Sequence, residues 1–401
     1  MSRPDPMAGA AERIDSHRKG DARVRVTDAA GKPVAGARVG MAQARHAFLF
    51  GCNIFPLFDY EGADHDCYAS RFSALLNFAT LPFYWGSYEA ERGKTREAHL
   101  RRMAAWCAER GITVKGHPLV WHEVWPKWGP ADPEEAKRLL EARVRGIVAG
   151  FAGLVDRWDV VNEATVSERF QNGVGAWAKR DGALAMVREA VRWAREANPN
   201  SILLYNDYNI APEFERLVAD LPASAVDAIG IQSHMHQKTW TLDRAWEVCE
   251  TYARFGRPLH FTELTVLSGE PGWMKPAPWP TTPAGEAAQA DYVADFYTLL
   301  FSHPAVEAVT WWDFMDGSWQ GAPAGLVRDD LHPKPAYDRL LDLVRHRWWT
   351  GHAEGVTDAD GRCVLRGFAG DYRVTASAGA GTAATDASLP RGGASWEVSL
   401  R

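Results

Sequence analysis

The feature that most restricts what this chain can become is an alternation. Between residues 48 and 345, eight short apolar runs take turns with longer amphipathic stretches. The runs are FLFGCNI (48–54), LLNFATL (75–81), TVKGHPLVW (113–121), RWDVVNEA (157–164), SILLYNDY (201–208), DAIGIQSHM (227–235), PLHFTEL (258–264) and VEAVTWWDF (306–314). Runs this short and this apolar suit strands buried on both faces, as in a parallel sheet covered by helices. Segments 97–110, 133–150, 181–197, 212–220, 241–254, 285–302 and 336–347 carry the apolar stripe of such covering helices. One of them opens on Asp132-Pro133, an N-cap followed by proline at the first helical position. Eight such units predict a closed (β/α)8 barrel, a TIM barrel, over residues 46–349. A doubly wound open sheet would call for a phosphate-cradling glycine loop, and the sequence has none.

The flanks read differently. VRVTDAAGKPVAGARVGMAQ (24–43) alternates with period two and turns at Ala30-Gly31-Lys32-Pro33. GVTDADGRCVLRGFAGDYRVTASAG (355–379) does the same, with turns at Asp360-Gly361 and Ala369-Gly370. Both are β-hairpin patterns. A lone hairpin cannot bury a face, so residues 22–45 and 350–401 are expected to meet in one small β-sandwich with the barrel inserted between them. Two separate sheets packed on the barrel are the alternative. Residues 1–21 are polar and expected to be disordered. The fold class is α/β: a barrel with a small sandwich formed from the N- and C-terminal segments.

Composition removes several function classes. A formal net charge of −6 over 401 residues argues against a nucleic-acid or anionic-membrane partner. No run approaches 18 apolar residues, so no membrane span is expected. The polar N-terminus lacks a signal core, which fits a cytoplasmic protein or a mature secreted or periplasmic form. The five cysteines lie far apart with no CxxC pair, so neither a disulfide framework nor a zinc site is expected. Eighteen tryptophans are many for this length. A large aromatic core accounts for about half of them, and others are expected to line a cleft, where flat indole faces cover the apolar faces of sugar rings. A monomer is expected.

In a (β/α)8 barrel the chemistry gathers at the C-terminal ends of the strands. Trp158-Asp159-Val160-Val161-Asn162-Glu163 closes the fourth run and Phe261-Thr262-Glu263-Leu264 closes the seventh. Each puts a carboxylate at the barrel mouth. Glycosidic bond cleavage needs such a pair, one carboxyl to protonate the departing oxygen and one to meet the anomeric carbon; a separation of about 5–5.5 Å gives retention. Taken singly, either glutamate could be a salt-bridged surface group. Together at strand ends, with histidines and tryptophans nearby, they read as a catalytic pair. Acid/base and nucleophile suffice for this chemistry, so no metal or organic cofactor is implied.

Six segments in order then carry a resemblance: GHPLVWH (116–122), WDVVNEA (158–164), YNDYN (205–209), GIQSH (230–234), TEL (262–264) and PKPAY (333–337). Over about residues 48–345 the chain resembles family 10 glycoside hydrolases, a group best known for endo-β-1,4-xylanases. The resemblance implies a retaining hydrolase of β-1,4-xylosidic bonds in xylan or xylo-oligosaccharides, with Glu163 as acid/base and Glu263 as nucleophile. It also implies that Asn162 holds the 2-hydroxyl of the sugar under attack. His234 would hydrogen-bond the nucleophile, His117 and Trp121 would line the −1 sugar, and Gln232 would make a polar contact near the acid/base. Trp312 and Trp319 resemble the aromatic floor and lid of that subsite, and Tyr208 a contact on the leaving-group side. Of the adjacent Trp311 and Trp312, at least one is expected in the core. His122 is split between supporting the site and packing, and Asp207 reads as structural.

The pattern breaks in three places. After the second run the family usually carries Glu-Asn and then Lys-Trp, which hold hydroxyls of the −2 and −1 sugars. Here Leu81-Pro82-Phe83-Tyr84-Trp85 follows, so Tyr84 and Trp85 become the candidate contacts. A buried hydroxyl that loses its partner costs about 1–3 kcal/mol, so glycone recognition should differ. Two residues after the nucleophile the family commonly has an aspartate; Thr265 replaces it, which should make His234 less readily protonated. Asp313 stands where the family usually has glycine; it and Asp316 are candidates for either substrate contact or loop capping. A retaining β-glycosidase on a decorated or non-xylan β-glycan, with exo-acting cleavage included, is therefore the alternative activity. A non-catalytic carbohydrate-binding protein is the rival from another class, though both carboxylates are present. In the terminal segments Phe368, Tyr372 and Trp396 are the aromatic candidates for a second sugar site, against a purely structural clasp.

Overall fold

The computed structural model describes residues 5–401. Strands β1 (Lys19–Thr27) and β2 (Arg38–His46) precede the barrel strands β3 (Leu49–Asn53), β4 (Phe78–Pro82), β5 (Thr113–His117), β6 (Arg157–Asn162), β7 (Ile202–Asp207) and β8 (Ala228–Ile231). A two-residue strand β9 (His234–Met235) follows, then β10 (Leu259–Val266) and β11 (Val306–Trp311). The C-terminal part adds β12 (Ala353–Val356), β13 (Arg362–Phe368), β14 (Gly370–Ala378), β15 (Gly381–Leu389) and β16 (Ala394–Ser399).

The barrel runs β3-β4-β5-β6-β7-β8-β10-β11 with every pairing parallel, and β11 closes it by pairing with β3. This is the (β/α)8 architecture the alternation demands. Helices cover the strands on the outside, among them Glu97–Glu109, Pro133–Gly150, Ala183–Ala197, Leu242–Ala253 and Pro283–Ser302. The Asp132 side chain caps the second of these by accepting from Glu135 N at 2.9 Å, with Pro133 at its first position. Strand alternation sorts the residues: Trp158 turns out onto Phe83 and Phe151, so Asp159 turns in.

The small domain is a sandwich of a three-stranded sheet, β13-β1-β16, on a four-stranded one, β12-β2-β14-β15. Its own core gathers Val24, Val26, Val39, Met41, Leu365, Tyr372, Val374 and Val398. Neither expected hairpin forms. β1 pairs with β13 and β16, while β2 pairs with β12 and β14, so each terminal segment divides its strands between the two sheets. Turn residues mark where a strand stops, but only the buried face decides its partner. The two ends of the chain are thereby cross-laced. The sandwich sits under the N-terminal ends of the barrel strands, where Ala47 N donates to Ala369 O and Arg391 donates to Pro304 O. Of its aromatic residues, Phe368 and Tyr372 are buried and Trp396 packs on Tyr372. They are core, and they do not form a second sugar platform.

The disorder expected over residues 1–21 does not extend to the described part. Residues Ala10–Arg18 form a helix whose Arg18 is 2% exposed, donates to Phe301 O and His303 O, and lies over the Phe48 and Phe301 rings. A polar sequence docks here because its guanidinium satisfies carbonyls at the barrel base. The five cysteines are unpaired, and among the described residues no helix is long and apolar enough to cross a membrane.

Candidate active site

Glu163 follows β6 and adopts a left-handed backbone conformation, φ 57° and ψ 42°, before the turn Ala164–Arg169. A non-glycine residue tolerates that region only where its surroundings hold it there. The bend directs its carboxyl into the barrel mouth, where three neutral donors meet it. Trp121 Nε1 donates to Oε2 at 3.0 Å, Gln232 Nε2 to Oε1 at 2.8 Å and Asn162 Nδ2 to Oε1 at 3.2 Å. His122 Nε2 lies 3.6 Å from Oε2, with its ring against Phe170. Burial pushes the His122 imidazole down to about 4, so it brings no positive charge. Burial, reinforced by the charges on Glu263 and Asp207, pushes the Glu163 carboxyl up to about 8 against the hydrogen bonds from Gln232 and Trp121.

Glu263, on β10 and 4% exposed, meets the opposite environment. Asn206 Nδ2 donates to its Oε1 at 2.7 Å and His234 Nε2 stands 3.1 Å from its Oε2. Behind it runs a buried chain of charge. Lys115 Nζ lies 2.6 Å from Asp159 Oδ2, His117 Nδ1 donates to that same oxygen at 2.7 Å, and His117 Nε2 is 3.9 Å from Glu263 Oε1. Burial works to raise the Glu263 carboxyl, but the His117 imidazole, the hydrogen bond from His234 and Lys115 outweigh it and hold it below its ordinary value. One carboxyl is thus kept protonated and the other kept ionised in one cavity.

The residues expected from sequence fall into three groups. Asn162, His117, Trp121, Gln232 and His234 converge on the two glutamates as described. Trp312 and Trp319 wall the cavity: Trp312 lies edge-on to His117 at 5.4 Å, and Trp319 stacks on His234 at 4.7 Å with planes 3° apart. Tyr84 joins them, its ring 5.3 Å from His117 and 5.5 Å from Trp121. Tyr208 stands at the rim, 46% exposed. Trp85 is different. It is buried between Trp125 and Trp128 and donates to Glu89, so it props the loop from behind and does not face the glutamates. Trp311 is core and donates to Ala324 O, as one of that pair had to be. Asp316 binds Lys334 Nζ and Gly325 N and caps a loop. Asp207 receives Thr165 and Tyr205 and braces the β7 end.

Thr265 takes over part of the role of the carboxylate it replaces. Its hydroxyl donates to Trp312 O at 2.9 Å and stands 2.7 Å from His234 Nδ1. The ring is therefore fixed with Nε2 turned to Glu263. Three functional residues were not singled out in the sequence: Asn206, which links Glu263 to Asn162 Oδ1 at 2.7 Å, and the Lys115–Asp159 pair. Asn206 sat in a recognised segment at a strand end. Lys115 and Asp159 were hidden inside runs read as apolar. Among the described residues, the one trio close enough to share a metal ion is His122, Glu123 and Glu163, with ligand atoms within 4.8 Å.

The model of the family described as Glycosyl hydrolase family 10 matches residues 71–343. The chain is 27% identical over 406 residues to the anti-sigma-I factor RsgI6 of Acetivibrio thermocellus, covering 97% of this chain and 49% of that relative. It is 28% identical over 284 residues to endo-1,4-beta-xylanase B of Thermotoga neapolitana, covering 66% of this chain and 78% of the relative. This chain thus spans about half the length of the first and most of the second. Among solved structures, xylanase 10B of Thermotoga petrophila RKU-1 in complex with xylobiose superposes with a TM-score of 0.63 and 26% identity, over 75% of this chain and 95% of that one.

Proposed function

The chain belongs to glycosyl hydrolase family 10, and from that membership we propose that it cleaves β-1,4-xylosidic bonds in xylan or xylo-oligosaccharides with retention of configuration. Glu263 attacks the anomeric carbon while Glu163 gives its proton to the departing glycosidic oxygen. A glycosyl ester forms on Glu263. Glu163, now ionised, takes a proton from water, and the oxygen of that water attacks the anomeric carbon, breaking its bond to the Glu263 carboxylate and releasing the sugar. Asn162 and Asn206 hold the carboxyls and a sugar hydroxyl in register, and Trp312 and Trp319 wall the ring. Named relatives that are xylanases, and the xylobiose in one neighbour, support this substrate class.

One observation carries the reading: two carboxyls in one cavity have opposite protonation preferences, Glu163 raised to about 8 and Glu263 lowered. The test follows the anomer first released from a xylo-oligosaccharide by proton NMR. Initial release of the β-anomer supports retention; initial α-anomer rejects it, and so does unchanged turnover in Glu263→Ala.

A second reading has its own support. Phe55, Tyr84 and Trp312 form an aromatic corner, Phe55 lying 5.8 Å from Tyr84 and 5.3 Å from Trp312. Its Tyr84 lies in the segment where the family usually carries glutamate, asparagine and lysine. That favours action on a decorated or non-xylan β-glycan, or on short chains from one end. Product profiles on linear xylan, arabinoxylan, xyloglucan and aryl β-glycosides separate the two.

A further inference from the structure

We propose that Asp313, held by Asn53, is a specificity-determining residue that grips a hydroxyl of the sugar on the glycone side of the bond being cut. The proposal rests on the glycosidase reading above and names a recognition device within that site. Cys52 faces Tyr68 and Tyr297 on the covering helices, so the next residue of β3, Asn53, turns into the barrel. Asn53 Nδ2 donates to Asp313 Oδ1, and Asp313 directly follows Trp312, the wall of the cavity. Two strands on either side of the closure seam thus send a polar pair to the same point.

The pair is placed to meet a ligand. Asp313 is 6% exposed, against 4% for Glu263, 2% for Asn162 and 1% for His117, so it is as accessible as the residues already assigned to the site. Glu263 and Tyr84 are both within its electrostatic reach. Among the described residues Asn53 is its sole hydrogen-bond partner. Asn53 Oδ1 and Thr80 Oγ1, neighbours in the β3–β4 register, are buried with no partner at all. Buried polar atoms left without partners call for an occupant. A sugar hydroxyl, which donates once and accepts twice, fits a set of acceptors and donors of this kind.

The chemistry of Asp313 is consistent with the task. Burial, and then the charge on Glu263, pushes its carboxyl up to about 8. In neutral solution it presents both an O–H and a C=O and adds no negative charge beside the nucleophile. The location also answers a loss. The segment after β4 carries Phe83, Tyr84 and Trp85 where the family usually has polar residues, and the flanking strands offer a polar pair, Asn53 on one side and Asp313 on the other. On this proposal, glycone recognition rests on the ends of β3 and β11.

The test is a kinetic comparison of wild type and Asp313→Ala on an aryl β-xyloside, an aryl β-xylobioside and their monodeoxy analogues. Asp313→Ala should lower kcat/KM by about 10- to 100-fold on the parent glycoside. On the analogue lacking the gripped hydroxyl the two enzymes should match. An equal loss across the whole deoxy series would overturn the proposal, as would no loss at all. If the alanine variant does not fold, Asp313→Asn, close in size, repeats the comparison with a smaller loss of about threefold, again confined to substrates bearing that hydroxyl. Wild-type turnover that depends on Glu263 but ignores Asp313 defeats this inference alone. Absence of wild-type turnover on every glycoside defeats the function proposed above.

Discussion

Replacing Glu163 by glutamine should make the fold more stable relative to wild type as pH rises. The unfolded carboxyl titrates near 4.5, while the folded one is pushed up to about 8. As pH rises through that window the unfolded chain gives up this proton and the folded chain keeps it. The folded state therefore binds more protons, and wild-type stability falls as pH increases. At 1.36 kcal/mol per unit, the rise from 4.5 to about 8 is about 5 kcal/mol, present below pH 4.5 and lost by pH 8. The glutamine side chain never ionises and escapes the loss. Its amide cannot accept both from Trp121 on one side and from Gln232 and Asn162 on the other, which costs about 1–3 kcal/mol. That cost is the same at every pH and cancels in the difference. Urea denaturation of both proteins at pH 5 and pH 8.5 measures it. Glu163→Gln should gain at least about 2 kcal/mol relative to wild type between the two. A relative change under about 1 kcal/mol would show that Glu163 is not held protonated, and the acid/base assignment would lose its physical basis.

Glu263→Ala should lower turnover of xylo-oligosaccharides by about 10⁴-fold or more. Glu163→Ala should cost about 10²–10⁴-fold on the same substrates but under about tenfold on a dinitrophenyl glycoside, whose leaving group needs no proton; equal losses on both would reverse the role. Asp159→Ala leaves Lys115, fully buried, without its counter-charge, and should cost about 3–5 kcal/mol in urea denaturation, most of it recovered in Lys115→Met/Asp159→Leu. A single variant as stable as wild type would mean that the Lys115 charge is satisfied elsewhere. Removing residues 1–18 should lower the Tm by several degrees, since Arg18 and the ring contacts at the barrel base go with them; an unchanged Tm would mean that this helix is not docked.

The barrel was legible because its strands are buried on both faces, so each one is written as an apolar run whatever its partners are. The sandwich was legible only as strands. Period-two alternation and Gly-containing turns located β1, β2, β13 and β14, but pairing depends on which faces find cover, and that is set by segments more than 300 residues apart. The proposed catalytic pair was legible because strand ends in this architecture are where chemistry gathers. Trp85 was misplaced because a sequence gives no direction to a side chain just past a strand, and here the chain bends into the short helix Trp85–Tyr88 and turns the indole away. Lys115 and Asp159 escaped notice for a different reason. Each is one charge inside an apolar run, and nothing local announces that the two meet across the barrel.

That hidden pair explains how one cavity can hold two carboxyls in different states. Glu163 and Glu263 are both buried, and burial alone would protonate both. The difference comes from what lies behind each. Behind Glu163 are an indole, two amides and an uncharged imidazole, all neutral. Behind Glu263 are His117 and, one step deeper, Lys115, oriented through Asp159. Asp159 does two jobs at once: it sets a counter-charge beside a buried lysine and it fixes which imidazole nitrogen of His117 faces Glu263. A neutral residue there could do neither. The strand positions of these groups follow from alternation alone, with Lys115 and His117 two residues apart on β5 and Asp159 on the adjacent β6. The electrostatic contrast between the two glutamates is therefore built into the register of two neighbouring strands.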